Sequence, residues 1–432
     1  MSGHDAGGVS GQVADEIARD RALATVPGRL GARTLFLWLG AIAVGVAGFA
    51  AALGSAPQRA WQAVWVNFLF WTSIAEAGVV FGAILVAARG HWGKPFRRVA
   101  EGAASFLPIS LLVFLGLSFG ADRIFPWVGP VEEHVNRTWL TVDGVFWRNG
   151  VALAVLYVLS FAFLRLSLRP DAPLVAERLS GWRRRLVGGL ARGWRGDEEE
   201  VERARRILNW LSPVLILTWV FVFSFLAIDL TLSLMPGFVS VVWGPLFFVA
   251  GWLCLLCLVA ILAHRYRARY DLSDVWGRWE FHDLGKLMFA FVIFWSYLWW
   301  SQYLPIWYGN LGRETVFFEQ RLSGGFRPLF IGQMALVFLL PFPLLLGRRP
   351  KMSSRHLALV GGIVLVGFWL ERFLAVVPST WHGAGVPLGW VEAAVTVGFV
   401  GLFGLGYSLF ASTIPKLPIR EALITGERTR GP

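Results

Sequence analysis

Phe281-His282-Asp283-Leu284-Gly285-Lys286, continuing through LMFAFVIFWSYLWWSQYLPIW to Tyr308-Gly309-Asn310-Leu311, decides the fold. A short polar segment opens into an uncharged aromatic run of about 18 residues, which at ~1.5 Å per residue spans a bilayer core. The run carries Ser296, Tyr297, Ser301 and Gln302 inside it and ends in a Trp and Tyr cluster at the level of a headgroup belt. It reads as a membrane helix with an ionisable entrance.

Working outward, the same pattern recurs. Of 432 residues 56% are hydrophobic and only 16% charged, so the apolar content exceeds what a soluble domain of this size holds. Apolar runs predict ten spans at about 34–53, 64–88, 103–121, 145–166, 211–235, 241–264, 285–304, 328–346, 356–377 and 388–412. The expected organisation is an N-terminal segment 1–33, spans 1–4 over 34–166, a connector 167–210, spans 5–10 over 211–412 and a tail 413–432. No cleavable signal is expected in 1–33, which is polar and Gly-rich.

With both termini cytoplasmic, 32 of the 40 Lys and Arg fall in inner segments, six in outer loops and two, Arg148 and Arg372, near the outer ends of spans. That bias is the positive-inside pattern, so the net charge of +12 points to topology and not to nucleic acid. In the connector, Trp182-Arg183-Arg184-Arg185 with Leu186, Leu190 and Trp194 reads either as a basic amphipathic helix on the inner leaflet or as a solvated linker. The outer loops 122–144 and 305–327 are candidate docking surfaces, and the chain holds no soluble catalytic domain, so catalysis by this chain alone is not expected.

Cofactor chemistry is sparse. All seven histidines, His4, His91, His134, His264, His282, His356 and His382, fall in loops or at span ends, where bis-histidine haem ligation at matched depth is not expected. Cys254 and Cys257 form a C-x-x-C inside an apolar span and read as core, with neither a metal site nor an iron–sulfur cluster expected.

Acids in or beside the spans are the functional candidates, since a charge inside a bilayer costs at least ~2.5–3.5 kcal/mol. Glu76 sits mid-span with Thr72 and Ser73 one turn away, as a proton-exchange group or as hydrogen-bonded glue. Asp229, with Ser233 at i+4, either passes a proton outward or caps the turn into the next span. Adjacent positions diverge by ~100°, so Glu371 and Arg372 are expected to pair with other helices, with Glu392 or with Asp122 and Arg123. On the inner side, Glu101, His264 and Lys286 accompany His282 and Asp283, a proton-collecting pair in which Asp283 could equally serve the helix N-terminus. The acids are staggered by depth, which suggests proton conduction.

The block Phe281-His282-Asp283-Leu284-Gly285-Lys286-Leu287-Met288-Phe289-Ala290-Phe291, then Ile293-Phe294-Trp295, Tyr297-Leu298, Ser301-Gln302-Tyr303 and Ile306-Trp307-Tyr308, resembles the ActF-type membrane subunit of bacterial alternative complex III, a quinol:cytochrome c oxidoreductase. Ala227-Ile228-Asp229, the turn Ser233 to Pro236 and the ten-span layout are similar too. The resemblance implies the NrfD or polysulfide-reductase fold, all-α and polytopic in the bacterial inner membrane, with four-helix bundles of spans 2–5 and 6–9 and two flanking helices. It implies electron transport in a respiratory or photosynthetic chain. The implied partners are a multihaem cytochrome c subunit, an iron–sulfur protein, a paralogous NrfD-like membrane subunit and small anchors. Haem c and iron–sulfur clusters then reside on those partners, with menaquinone or another quinone as an open question for this chain. The family ties Glu76, Asp229, His282, Asp283 and Glu371 to proton translocation. Two other readings stay open: a stand-alone proton-coupled transporter, and the membrane anchor of a molybdopterin oxidoreductase.

Overall fold

The computed structural model describes residues 19–26, 29–90, 92–129, 137–383 and 385–419, with side chains omitted at 197 and 198. Among the described residues ten helices are long and apolar enough to cross a membrane: α1 (Ala32–Ser55), α2 (Pro57–Ala87), α3 (Lys94–Ile124), α4 (Val142–Glu177), α5 (Glu199–Leu234), α6 (Trp243–Arg269), α7 (Arg278–Gly309), α8 (Phe326–Leu346), α9 (Ser354–Thr380) and α10 (Trp390–Thr413). There is no strand among the described residues. A helix closes its own backbone hydrogen bonds, which hydrocarbon cannot do for it. The protein is therefore an all-α, multi-pass membrane protein.

Helices α2 to α5 pack as one four-helix bundle and α6 to α9 as a second, while α1 and α10 pair with each other and lie against α2 and α3. Helix α2 is the most enclosed. Enclosed on all sides, it relies on neighbouring helices for partners to several of its polar groups. Gln62 Nε2 donates to Thr380 Oγ1 at 2.8 Å and Asn67 Nδ2 to Thr396 Oγ1 at 2.9 Å, while Trp369 Nε1 donates to Asn67 Oδ1 at 3.2 Å. These bonds tie α2 to α9 and α10.

The α1–α10 contact is built on glycine. A Cβ on Gly45 would lie 2.3 Å from the Gly398 Cα, so only two glycines allow this approach, the small-residue packing common where lipid supplies no hydrophobic drive. Trp38 Nε1 donates to Ser408 Oγ at 2.9 Å along the same seam.

Lys416 Nζ donates to the Thr25 carbonyl at 2.6 Å, so the two terminal segments meet on one face, the terminal face. There the α2–α3 and α6–α7 turns lock the bundles together. Trp276 Nε1 donates to the Pro95 carbonyl at 3.1 Å, and the Phe96 and Trp276 rings stack at 6.0 Å.

Several elements differ from expectation. Helix α7 starts at Arg278, so Phe281 to Lys286 is already helical and not a polar segment ahead of it. Helices α4 and α5 run past their apolar stretches, which shortens the free connector to 178–198. Within it the helix Gly181–Leu190 packs Val187 and Leu190 against Leu23, Val175 and Ile414. Trp182 and Leu186 face outward, 57% and 61% exposed, so Leu186 and Leu190 do not share one lipid-facing surface as the spacing suggested. Helix α3 is interrupted by a 3₁₀ segment at Gly102–Phe106, and α8 by a π turn at Ala335–Leu339.

Candidate functional site

The first bundle is organised by one face of α4. Asn149, Ser160 and Ser167 are spaced by about three and two helical turns, and Tyr157 lies on the same stripe; all four are buried. Each meets a polar group from another helix, which produces three stations at different depths.

The first station lies toward the face opposite the termini. Arg148 Nε and Nη2 donate to Asp229 Oδ2 and Oδ1 at 2.6 and 2.7 Å, Asn149 Nδ2 donates to Oδ2 at 2.6 Å, and Trp139 Nε1 donates to Oδ1 at 3.2 Å. The fork geometry makes this the bidentate form of the arginine–carboxylate pair. Arg148 also lies 4.1 Å from the Trp139 ring centroid. Ser233 Oγ gives its proton to the Asp229 backbone carbonyl at 2.6 Å, so the expected contact of this hydroxyl with the carboxylate is corrected.

The middle station is Glu76, completely buried, whose Oε1 accepts from Ser160 Oγ. Tyr157 Oη and Ser110 Oγ share a hydrogen bond of 2.6 Å beside it. Thr72 and Ser73, expected as its near neighbours, are not its partners. Ser73 Oγ donates to the Phe70 carbonyl at 2.8 Å, and Thr72 Oγ1 and Glu76 Oε2 have no direct protein partner.

The third station sits toward the terminal face. Glu101 accepts from Arg97 Nε at 2.8 Å, Arg98 Nη1 at 2.6 Å and Ser167 Oγ at 2.6 Å. Arg98 also donates to Asp171 at 2.8 Å, closing a network between α3 and α4.

Two apolar gaps separate the stations, about 12 Å from Asn149 to Tyr157 and about 10 Å from Ser160 to Ser167 along the helix rise. Leu153 and Leu156 line the first, fully buried. Phe163 fills the second, its ring seated in the hollow left by Gly82, where a Cβ would stand 3.0 Å from it. A side chain at position 82 would crowd that ring by a few tenths of an ångström.

The second bundle concentrates its charge near one end. Arg372 Nη1 lies 3.0 Å from Glu371 Oε2, so these neighbours pair with each other, contrary to the argument from helical divergence. That argument concerned Cβ directions, and a long guanidinium swings back across them. Arg372 Nη2 donates to the Phe247 carbonyl at 2.9 Å, and Arg321, from the loop helix Gly312–Leu322, donates to the Leu374 and Phe317 carbonyls at 2.9 and 2.8 Å. With Gln333 they enclose a cavity of about 40 Å³. That volume holds two or three waters and is far below the ~300 Å³ of a small-molecule pocket. The Asp229 carboxylate of the first bundle is already occupied by three donors.

The remaining candidates have separate surroundings. Glu392, expected near Glu371, instead takes Arg59 at 2.7 and 3.0 Å and caps the Gly389 amide at 2.8 Å. Asp122 and Arg123 pair with each other at 3.2 Å on the surface. His282 Nδ1 stands 3.7 Å from Asp283 Oδ1, too far for a hydrogen bond, and Asp283 is held by Lys286 Nζ at 2.8 Å. The acid in the first turn of α7 is Glu280, so the helix-end role considered for Asp283 falls to that residue. His264 Nδ1 bonds Ser354 Oγ at 3.0 Å, and His356 Nε2 bonds the Leu344 carbonyl at 2.9 Å. His4, His91 and His134 lie outside the described residues.

Sequence reasoning missed Arg148, Asn149, Tyr157, Ser160 and Ser167 as site residues. Their signal was present: polar residues at helical spacing within an otherwise apolar span. Compared with protein-family models and with curated proteins, the chain matches none.

Proposed function

We propose that this chain is the ActF-type membrane subunit of an alternative complex III-like quinol:cytochrome c oxidoreductase, with its first bundle as a proton path. The observation that carries the proton role is the α4 stripe, which joins Glu101, Glu76 and Asp229 within one bundle interior. Orientation follows the positive-inside count: the terminal face is cytoplasmic, Glu101 receives protons, Glu76 holds them at mid-depth, and the Asp229–Arg148 pair stands at the exit. Each gap of about 10–12 Å needs a few transient waters or a swing of Phe163 for a proton to cross.

The two-bundle layout supports the family reading, because it is the arrangement the resemblance implied. On the face opposite the termini, Trp307, Tyr308 and Leu311 are 62%, 85% and 59% exposed, a surface suited to the multihaem cytochrome c and iron–sulfur partners. A paralogous subunit and small anchors complete the proposed assembly in a bacterial cytoplasmic membrane. A transporter reading asks for broken helices at matching places in two repeats. The breaks in α3 and α8 fall in the second and third members of their bundles, which favours the subunit reading.

Purifying the complex from native membranes through a tag on this chain tests the proposal. Copurifying c-type haem absorbance and menaquinol:cytochrome c activity are expected. A chain that purifies alone, free of haem partners, overturns the assembly.

A further inference from the structure

The end of the second bundle opposite the termini is short of negative charge. Arg372 and Arg321 are 2% and 1% exposed, and among the described residues Glu371 is the one carboxylate that acts on both. Arg372 takes it as an ion partner at 3.0 Å. Arg321 instead donates to neutral oxygens, the Leu374, Phe317 and Ala375 carbonyls and Ser379 Oγ. Buried charges are ordinarily paired, so one positive charge is left over in a setting where that is costly.

The cavity of about 40 Å³ between the two arginines is also short of acceptors. Gln333 from α8 and Trp295 from α7 line it, 2% and 1% exposed, and neither Gln333 Nε2 nor Trp295 Nε1 has a protein acceptor. The Phe317 ring centroid lies 3.5 Å from the Arg321 guanidinium and the Phe247 centroid 3.8 Å from that of Arg372. These rings offset part of the charge and cover the guanidinium faces, leaving the N–H edges for a further partner. A water would accept from the orphaned donors and leave the charge uncompensated, whereas a small anion answers both. At a volume that holds two or three waters, the anion that fits is monatomic.

We infer that this cavity binds a halide the size of chloride, held by the Gln333 and Trp295 N–H groups between Arg321 and Arg372. Arg321 belongs to the loop helix Gly312–Leu322, so the ion fastens that helix to α7, α8 and α9. The same helix carries Phe317, whose ring stacks on Phe238 of the α5–α6 connection at 4.1 Å. Occupancy therefore steadies the face opposite the termini, and it does so whichever partners that face meets.

The test is equilibrium binding of radiolabelled chloride to the full chain in phosphatidylcholine nanodiscs, with gluconate holding the ionic strength. Saturable uptake approaching one ion per chain is expected, competed by unlabelled bromide and not by gluconate. Gln333→Leu removes a donor to a charged acceptor and should weaken binding about tenfold or more. Gln333→Glu sets a carboxylate beside the two arginines and should abolish uptake. Arg321→Met should abolish it as well, and the Gln333 variants decide the matter where Arg321→Met does not fold. Absence of saturable uptake in the parent chain assigns the cavity to water and overturns the site. So does competition by gluconate, or unchanged uptake in the folded Gln333 variants.

Discussion

The two bundles handle buried charge in opposite ways. In α2 to α5 the polar groups lie along one helix face from end to end, so each station faces the next across a gap. In α6 to α9 the buried Arg372 and Arg321 gather with the partly exposed Glu371 at one end, Lys351 is buried in the α8–α9 turn at the other, and the interior between them is Leu253, Cys257, Met288, Val292, Val364 and Phe368. A cluster braces, whereas a ladder offers a path. Similar helices with similar hydropathy thus differ in how they place buried polar groups, through the register of a few hydroxyls and amides.

The largest effect should separate the ends of the ladder from the rest of the bundle. Arg98→Met leaves Glu101 and Asp171 without a shared cation, and breaking a buried pair costs about 3–5 kcal/mol. Thermal unfolding in nanodiscs should fall accordingly, and a variant as stable as the parent breaks the view of Arg98 as the tie between α3 and α4.

Next, Glu76→Gln should lower proton movement by about tenfold or more while the complex still assembles, within the range for removing a positioned proton-transfer group. Glu371→Gln should change it by less than about twofold. Proton-to-electron ratios in liposomes measure both; an unchanged Glu76→Gln ratio, or equal losses, erases the distinction between the bundles.

A control outside both bundles is Lys416, where burial, then Arg269 and Arg183, push the amine down to about 7. The neutral form is favoured when docked, while the free side chain holds its proton to about 10.4. Docking of the terminal segments therefore gains stability as pH rises from 7 toward 10, and below 7 no further change is expected from this group. Hydrogen exchange over residues 19–26, corrected for intrinsic rates, should slow between pH 6 and pH 9 relative to Lys416→Met. Equal behaviour removes the lysine from that role.

The smallest effect is expected at Asp283→Asn. The Asp283–Lys286 pair is partly exposed and its stability contribution lies within about 0.2–1 kcal/mol, so only proton uptake from the terminal side should slow. A change in expression alone would leave Asp283 a structural residue.

Much of this architecture was legible in the chain, because span length and apolarity are local properties. Glu76 and Asp229 stood out for the same reason, as acids inside apolar runs. Their partners were not legible, since Ser160 is 84 residues from Glu76 and Arg148 is 81 from Asp229. A charge count could only read Arg148 as a basic residue near a span end. The placement of Glu392 failed likewise: depth put it near Glu371, but helix rotation gave it Arg59.

The glycine seam between α1 and α10 carries a consequence for how the protein is made. Trp38 and its partner Ser408 are 370 residues apart, so at ~5–20 residues per second α1 waits roughly 20–70 s for the helix that completes it. Until then its only long-lived neighbours are lipid and α2. Helix α1 is inserted long before the mate that completes it, and truncating the chain before α10 should leave it open to capture by membrane chaperones or quality-control proteases.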